Sequence, residues 1–212
     1  MSQEVFELVQ GMDLKSIETQ IALQCAPLIS GLKVSNLLII SAEDEALVRV
    51  ILRRSGISFF RLLRTGEKVT FLLFRKNPLE AYLKQQEVET MLAEAGYAEL
   101  SLGNILSTFQ KRYAHYMSAG GRFPHEMGLL LGYPAEDVKG FVENEGKNFL
   151  YSGYWKVYAD VEEKRRLFQK FENAKETVIQ LLSYGVGIQD ILDIYKDENE
   201  PKQAAVIVSN DL

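Results

Sequence analysis

This sequence predicts a single α+β domain over residues 1–196, a small and mainly antiparallel sheet of about four strands covered by several helices. Three observations carry that expectation. Residues 57–75, ISFFRLLRTGEKVTFLLFR, take up an apolar period of two on either side of Thr65-Gly66-Glu67, the pattern of two strands around a short turn. NLLIIS (36–41) is an apolar run of strand length. Most of the remaining chain repeats its apolar residues at spacings of three and four, which is helical.

In chain order, Asp13 opens a helical pattern through Leu14, Ile17, Ile21 and Leu28, with Pro27 and Gly31 at its exit. The strand 36–41 follows, and Ser41 is placed to cap the next helix, with Asp44 completing an approximate capping box. EDEALVRVILRRSG then places Ala46 and Val50 beside Leu47 and Ile51 on one face, with acids in the first turn and bases in the last. Strands 57–64 and 68–75 form the hairpin, which demands antiparallel pairing; the preceding strand–helix–strand unit has the form that can add one parallel pair. Asn77-Pro78 starts a helix through about Ala95, closed by Gly96-Tyr97. SLGNILSTFQKRYAHYMSAGG (101–121) is a further helix, and residues 122–141 read as two short ones punctuated by Pro124, Gly132, Pro134 and Gly140. The aromatic stretch 151–158 reads as the fourth strand. A long amphipathic helix (160–184) and a short one, IQDILDIYK, complete the domain. Residues 197–212 divide into a polar linker and an apolar end, and AAVIVS (204–209) has the character of an added edge strand or of a frayed tail.

Composition narrows the function classes. The net charge of −5 and a pI near 5.3 argue against general affinity for nucleic acid or anionic lipid, both polyanions. No apolar run approaches the roughly 20 residues of a membrane span, and the start lacks the basic-then-apolar form of a secretory signal. Cys25 is the single cysteine, which excludes an internal disulfide and suits a reducing, cytoplasmic setting. It lies near a helix C-terminus, where a thiolate is disfavoured, so a buried structural thiol is expected.

Against the acidic whole, residues 49–76 hold Arg49, Arg53, Arg54, Arg61, Arg64, Lys68, Arg75 and Lys76 with Glu67 as their one acid. Arg61, Arg64 and Arg75 are therefore candidate ligands for an anionic small molecule or partner. The competing reading is a solvated basic face paired with Glu80, Glu87, Glu89 and Glu94.

RFPHEMGLLLGYPAEDVKGF (122–141) is the densest segment. His125 and Glu126 do not form an HExxH zinc motif, since Leu129 stands where the second histidine belongs, so no metal is expected. Its helix–turn–helix look fails as a DNA reader, because the second helix offers Glu136, Asp137, Glu143 and Glu145 and only Lys139 as a base. His125 with Glu126 is the candidate acid–base pair. The alternative is that both cap a short helix behind Pro124. In SGYWKVY, alternation sends Trp155 and Val157 to the core and Tyr154, Lys156 and Tyr158 to the other face. With Arg122 and Tyr133, these three are candidate binding residues around a pocket.

FPHEMGLLLGYPAEDVKGF followed by SGYWKVY, with CAPLISGLKVSNLL near the start, resembles an uncharacterised bacterial family common in clostridia, domain of unknown function 3793. The likeness spans roughly residues 13–185. It brings no activity or cofactor, and implies that the three motifs belong together, around one pocket. Relatives in that family often carry His at the position of Gln24 and Cys at that of Tyr151, so a Cys/His site common to the family would be incomplete here. The function expected is a non-enzymatic cytoplasmic ligand-binding or regulatory protein, with homo-oligomers open. The alternative is an enzyme using His125 as general acid–base in a pocket shared with the SGYWKVY strand.

Overall fold

The computed structural model describes residues 2–199, with side chains described as far as Lys196. Residues 204–209, for which the sequence left an added edge strand or a frayed tail open, lie outside the described residues. The elements are α1 (Gln3–Gly11), α2 (Ile17–Ile29), β1 (Ser35–Ser41), α3 (Glu45–Ile51), β2 (Ser58–Arg64), β3 (Lys68–Phe74), α4 (Lys76–Leu83), α5 (Gln86–Glu94), α6 (Leu102–Ala119), α7 (Met127–Leu130), α8 (Ala135–Glu143), β4 (Tyr151–Ser152), β5 (Lys156–Val157), α9 (Val161–Ser183) and α10 (Ile188–Asn199). The α+β class expected from the sequence is what forms.

β1, β3 and β2 make one sheet in that order, and both pairings are antiparallel. The parallel pair that the strand–helix–strand unit allowed does not form. β1 and β2 do run in the same direction, but the return strand of the hairpin inserts between them. As the central strand, β3 is covered on both faces, which is why VTFLLF is apolar without alternation. On one face Leu38, Ile40, Val69, Phe71 and Leu73 pack with α2, α3, α10 and the C-terminal half of α9. On the other, Leu62, Leu72 and Phe74 pack with α4 to α8. Each fully buried Leu, Ile or Phe in these layers contributes about 1.5–3 kcal/mol.

The outer edge of β1 is closed by a side chain. The Gln24 amide accepts from Ile39 N–H at 2.9 Å and donates to Ile39 C=O at 3.0 Å, imitating one rung of a missing strand. A bulge at the other edge, where the register slips between Arg61 and Leu63, has a chemical consequence. Arg61 lies opposite Phe71 and Arg64 opposite Val69, so two arginines three apart share one face instead of alternating.

A helix not read from the sequence precedes Asp13: α1 is capped by Ser2, whose Oγ accepts from Val5 N–H, and it docks on α9. Three expectations are corrected. α3 buries Val48 and Ile51 and leaves Leu47 and Val50 exposed, so the face read from the sequence is rotated. The helix expected from 77 to 95 breaks at Lys84-Gln85 into α4 and α5. The strand expected at 151–158 is a separate two-stranded hairpin, not a member of the sheet. Gly153-Tyr154-Trp155 turns within it, and a β-carbon at Gly153 would sit 2.3 Å from Phe168.

Candidate functional site

The three motifs singled out in the sequence meet at a packed joint. Asp137, at the start of α8 and almost fully buried, accepts from Trp155 Nε1 and Tyr158 N–H, each at 2.7 Å, and from Ala159 N–H at 3.3 Å. Its neighbour Glu136 takes the buried Lys164 ammonium of α9 at 2.8 Å. Gly140 lets α8 lie directly on Tyr158, since a β-carbon there would meet the ring at 2.5 Å. Tyr133 stacks on Trp155 with ring centres 4.6 Å apart, and Lys33 Nζ lies 5.3 Å from the Tyr133 centroid on its way to Asn36 Oδ1. Val34 fills the space beside Gly132, and Ser35 Oγ donates to Leu130 C=O. AEDVKGF, SGYWKVY and GLKVSN are thus one interlocked unit. Their side chains fill the space between them.

The pocket lies on the other side of α8. α5, α6, the 120–126 loop and α8 surround a cleft of about 860 Å³. Met91, Ala95, Leu129, Val138 and Val142 give it apolar walls. Arg122, His125, Glu126, His115, Lys139 and Glu143 bring polar groups to it. That volume is in the range that holds a drug-sized molecule. Pro124 C=O accepts from Met127 N–H, so 124–127 is the turn that launches α7 and points residues 125 and 126 toward the cleft wall.

Within that turn the two candidate residues part company. Glu126 does not satisfy the α7 N-terminus. Its Oε1 accepts from Arg112 of α6 at 2.8 Å and from the Tyr97 hydroxyl at 3.1 Å, while the guanidinium lies 4.5 Å from the Tyr97 ring centre. Burial and the neighbouring carboxylate hold the Tyr97 hydroxyl well above its ordinary range, so it serves as a donor. His125 packs between Phe123 and Phe141, with ring centres at 5.7 and 5.4 Å. Its Nδ1 is buried and, among the described residues, has no hydrogen-bond partner. Burial first, then the charge of Arg122, lowers its pKa against the opposing pull of Glu126. The imidazole is therefore neutral at pH 7, with one donor and one acceptor nitrogen. No hydrogen bond joins it to Glu126, so the pair is not the base and orienter that adjacency suggested.

Arg122, His125 and Glu126 share the cleft, and the remaining candidates do not. Tyr133 is stacked in the joint. Tyr154 donates to Glu172 at 2.8 Å and packs on Phe171, and Lys156 donates to Gly146 C=O at 2.6 Å between Phe141 and Phe149. The Tyr158 hydroxyl is buried and has no hydrogen-bond partner among the described residues. The expected pocket shared by 122–141 and the SGYWKVY strand is therefore corrected: α8 presents one face to each, and separates them. Arg75 donates to the carbonyls of Leu28 and Ile29, closing the C-terminus of α2. Arg61 and Arg64 turn to Glu45 of α3, not to the acids of 80–94.

Sequence reading missed Arg112, His115 and Glu45. Arg112 and His115 sit on one face of α6, but only the fold brings that face beside 122–126. Cys25 behaves as expected, fully buried near the Leu37 carbonyl with its thiol pushed up to about 12 by burial. Among the described residues no group of three His, Cys, Asp or Glu could hold a metal, and no helix is long and apolar enough to cross a membrane.

The family model described as "Protein of unknown function (DUF3793)" matches residues 21–192. The chain belongs to that family. The DUF3793 match begins within α2 and ends within α10, so it takes in the sheet, the joint and the cleft. The resemblance to that family is thereby shown, and the Asp137–Trp155–Tyr133 joint is where 122–141 and the SGYWKVY segment touch. No curated protein and no solved structure matches the chain.

Proposed function

We propose that this DUF3793 protein is a non-enzymatic ligand-binding protein, and that its site is the cleft between α5, α6, the 120–126 loop and α8. The observation that carries this reading is the cleft's composition. Apolar side chains from three helices line about 860 Å³ of space, and a small set of polar groups of both signs is placed around it. Such a lining suits a small amphipathic molecule, with the apolar walls supplying affinity and the polar groups orientation. Glu126 is tied down by Arg112 and Tyr97, so it holds the wall in place. Arg122 and the neutral His125 are left to meet a ligand. A cytoplasmic location accords with a lone, buried thiol.

A second reading has one observation in its favour. His125 Nδ1 is buried and unpartnered, as an acid–base group awaiting a substrate would be. The experiment that separates the two is a fragment screen followed on protein amide signals, with wild type and H125Q compared. The binding reading expects fragments to perturb the amides of Met91, Leu129 and Val142, with H125Q weakening them a few-fold. Conversion of any fragment by wild type and not by H125Q favours the enzyme. Fragments that perturb only residues outside the cleft exclude both.

A further inference from the structure

The arginines of the β2–β3 hairpin were candidates for an anion, and the fold gathers two of them with a third around a single carboxylate. Glu45 is 6% exposed. Its Oε1 takes Arg49 Nη2 at 3.2 Å and Arg61 Nη1 at 3.0 Å, and its Oε2 takes Arg64 Nη1 at 2.6 Å. Neutralising one buried carboxylate requires one guanidinium. Here three converge, and the two supplied by β2 reach the same face only because the bulge after Arg61 shifts the register.

Each guanidinium carries five N–H donors, and each is described with one hydrogen bond, to Glu45. Their side chains are 53%, 47% and 52% exposed, so the remaining donors face solvent. Arg49 is further steadied over the Phe59 ring, 5.3 Å from its centroid. The triad and its carboxylate leave two positive charges at one point. The nearby bases Arg53, Arg54 and Lys68 are matched in number by Glu43, Asp44 and Glu67, and among the described residues no ion pair joins those acids to the triad. Glu45 thus acts as a buried post that orients three planar forks outward, the geometry that recognises oxyanions bidentately.

We infer that Arg49, Arg61 and Arg64, oriented by Glu45, form a second binding site, distinct from the cleft, for the dianionic phosphate monoester of a small molecule. The charges match: such a group carries about −1.5 to −2 at neutral pH and offers three acceptor oxygens.

The test uses methyl phosphate as the probe at constant ionic strength, followed on the arginine Nε–Hε signals of the full chain. Saturable shifts of Arg61 and Arg64 are expected at pH 7.5, with acetate at equal ionic strength producing little. Affinity falls several-fold at pH 5, where the monoester, with a pKa near 6, has taken up one proton and become a monoanion, while the arginines remain charged. R61Q/R64Q lowers affinity tenfold or more, whereas K111Q, an exposed base on α6, leaves it unchanged. Should R61Q/R64Q fail to fold, R61K/R64K keeps the charge and loses the fork, and a loss of several-fold is expected. Shifts that grow linearly with methyl phosphate concentration without saturating, an equal response to acetate, or affinity unaltered by both arginine variants would overturn the assignment. Because the site shares no residue with the cleft, its failure leaves the cleft reading standing, and the reverse also holds.

Discussion

The carboxylate of Asp137 accepts the indole N–H of Trp155 at 2.7 Å, and its other oxygen takes two backbone amides just beyond that tryptophan. One buried side chain therefore fastens the 151–158 hairpin to α8, and its removal strands three donors. D137A is expected to lose about 3 kcal/mol, the penalty for leaving partners of a buried charged hydrogen bond unmet. Trp155 is the only tryptophan, so its emission should shift to the red at the same time. Urea midpoints and emission spectra check both; a D137A protein as stable as wild type would show the joint to be incidental.

Gly140 and Tyr158 make the complementary prediction from packing. G140A forces a β-carbon to within 2.5 Å of the Tyr158 ring and should cost about 1–3 kcal/mol. Y158F removes a buried hydroxyl that has no partner, and should leave stability unchanged or raise it slightly. Thermal unfolding of the two variants with wild type distinguishes a joint limited by shape from one limited by hydrogen bonding.

Lys33 and Cys25 bracket Asn36 and titrate in opposition. Burial lowers the Lys33 pKa to about 8 and raises the Cys25 thiol to about 12. Between pH 8 and 10 the unfolded chain holds the lysine proton more tightly than the folded one, so this group makes stability rise with pH. The unfolded thiol, with a pKa near 8.5, loses its proton first, so Cys25 makes stability fall over the same span. C25A should therefore gain on wild type as pH rises from 8 to 10, and K33M should lose ground. Each difference has a slope of about 1.4 kcal/mol per pH unit at most. Parallel profiles for all three proteins would contradict the burial of this pair.

Glu45 supplies a prediction at the acid end. Burial raises its carboxyl pKa, but hydrogen bonds from Arg49 and Arg61 and the charges of Arg61 and Arg64 outweigh that and hold it below the ordinary value. A depressed folded pKa gives stability that is present above the unfolded value, near 4.3, and is lost as pH falls through the folded one. Wild type should lose stability more steeply than E45Q below about pH 5. Urea midpoints from pH 6 to pH 3 test it, and equal slopes would detach Glu45 from the arginines.

How legible this was in the sequence depended on range. β1 and the hairpin declare themselves through apolar runs and a turn, and α6 and α9 through period and caps, so their bounds agree to within a residue or two. α3 misled because its apolar residues occupy more than one face, and only contact with the sheet selects Val48 over Val50. The bulge at Leu62 leaves no mark in the alternation, so the meeting of Arg61 and Arg64 at Glu45 could not be read. His125 was visible as a candidate, but its cleft was not: the opposite wall comes from α5 and the partner of Glu126 from α6. SGYWKVY misled because its alternation is real only at its ends; Tyr154 and Trp155 both turn onto the aromatic face of α9.

The central claim is that the cleft beside His125 binds an amphipathic small molecule, and one titration tests it most directly. Anilinonaphthalene sulfonate, an aromatic anion, is added to wild type and to V142W, whose indole projects into the cleft from a partly exposed position on α8. The account predicts saturable, one-to-one fluorescence enhancement with wild type and a loss of tenfold or more in affinity with V142W, at unchanged thermal stability. Equal binding by the two proteins, or none by wild type, would contradict it.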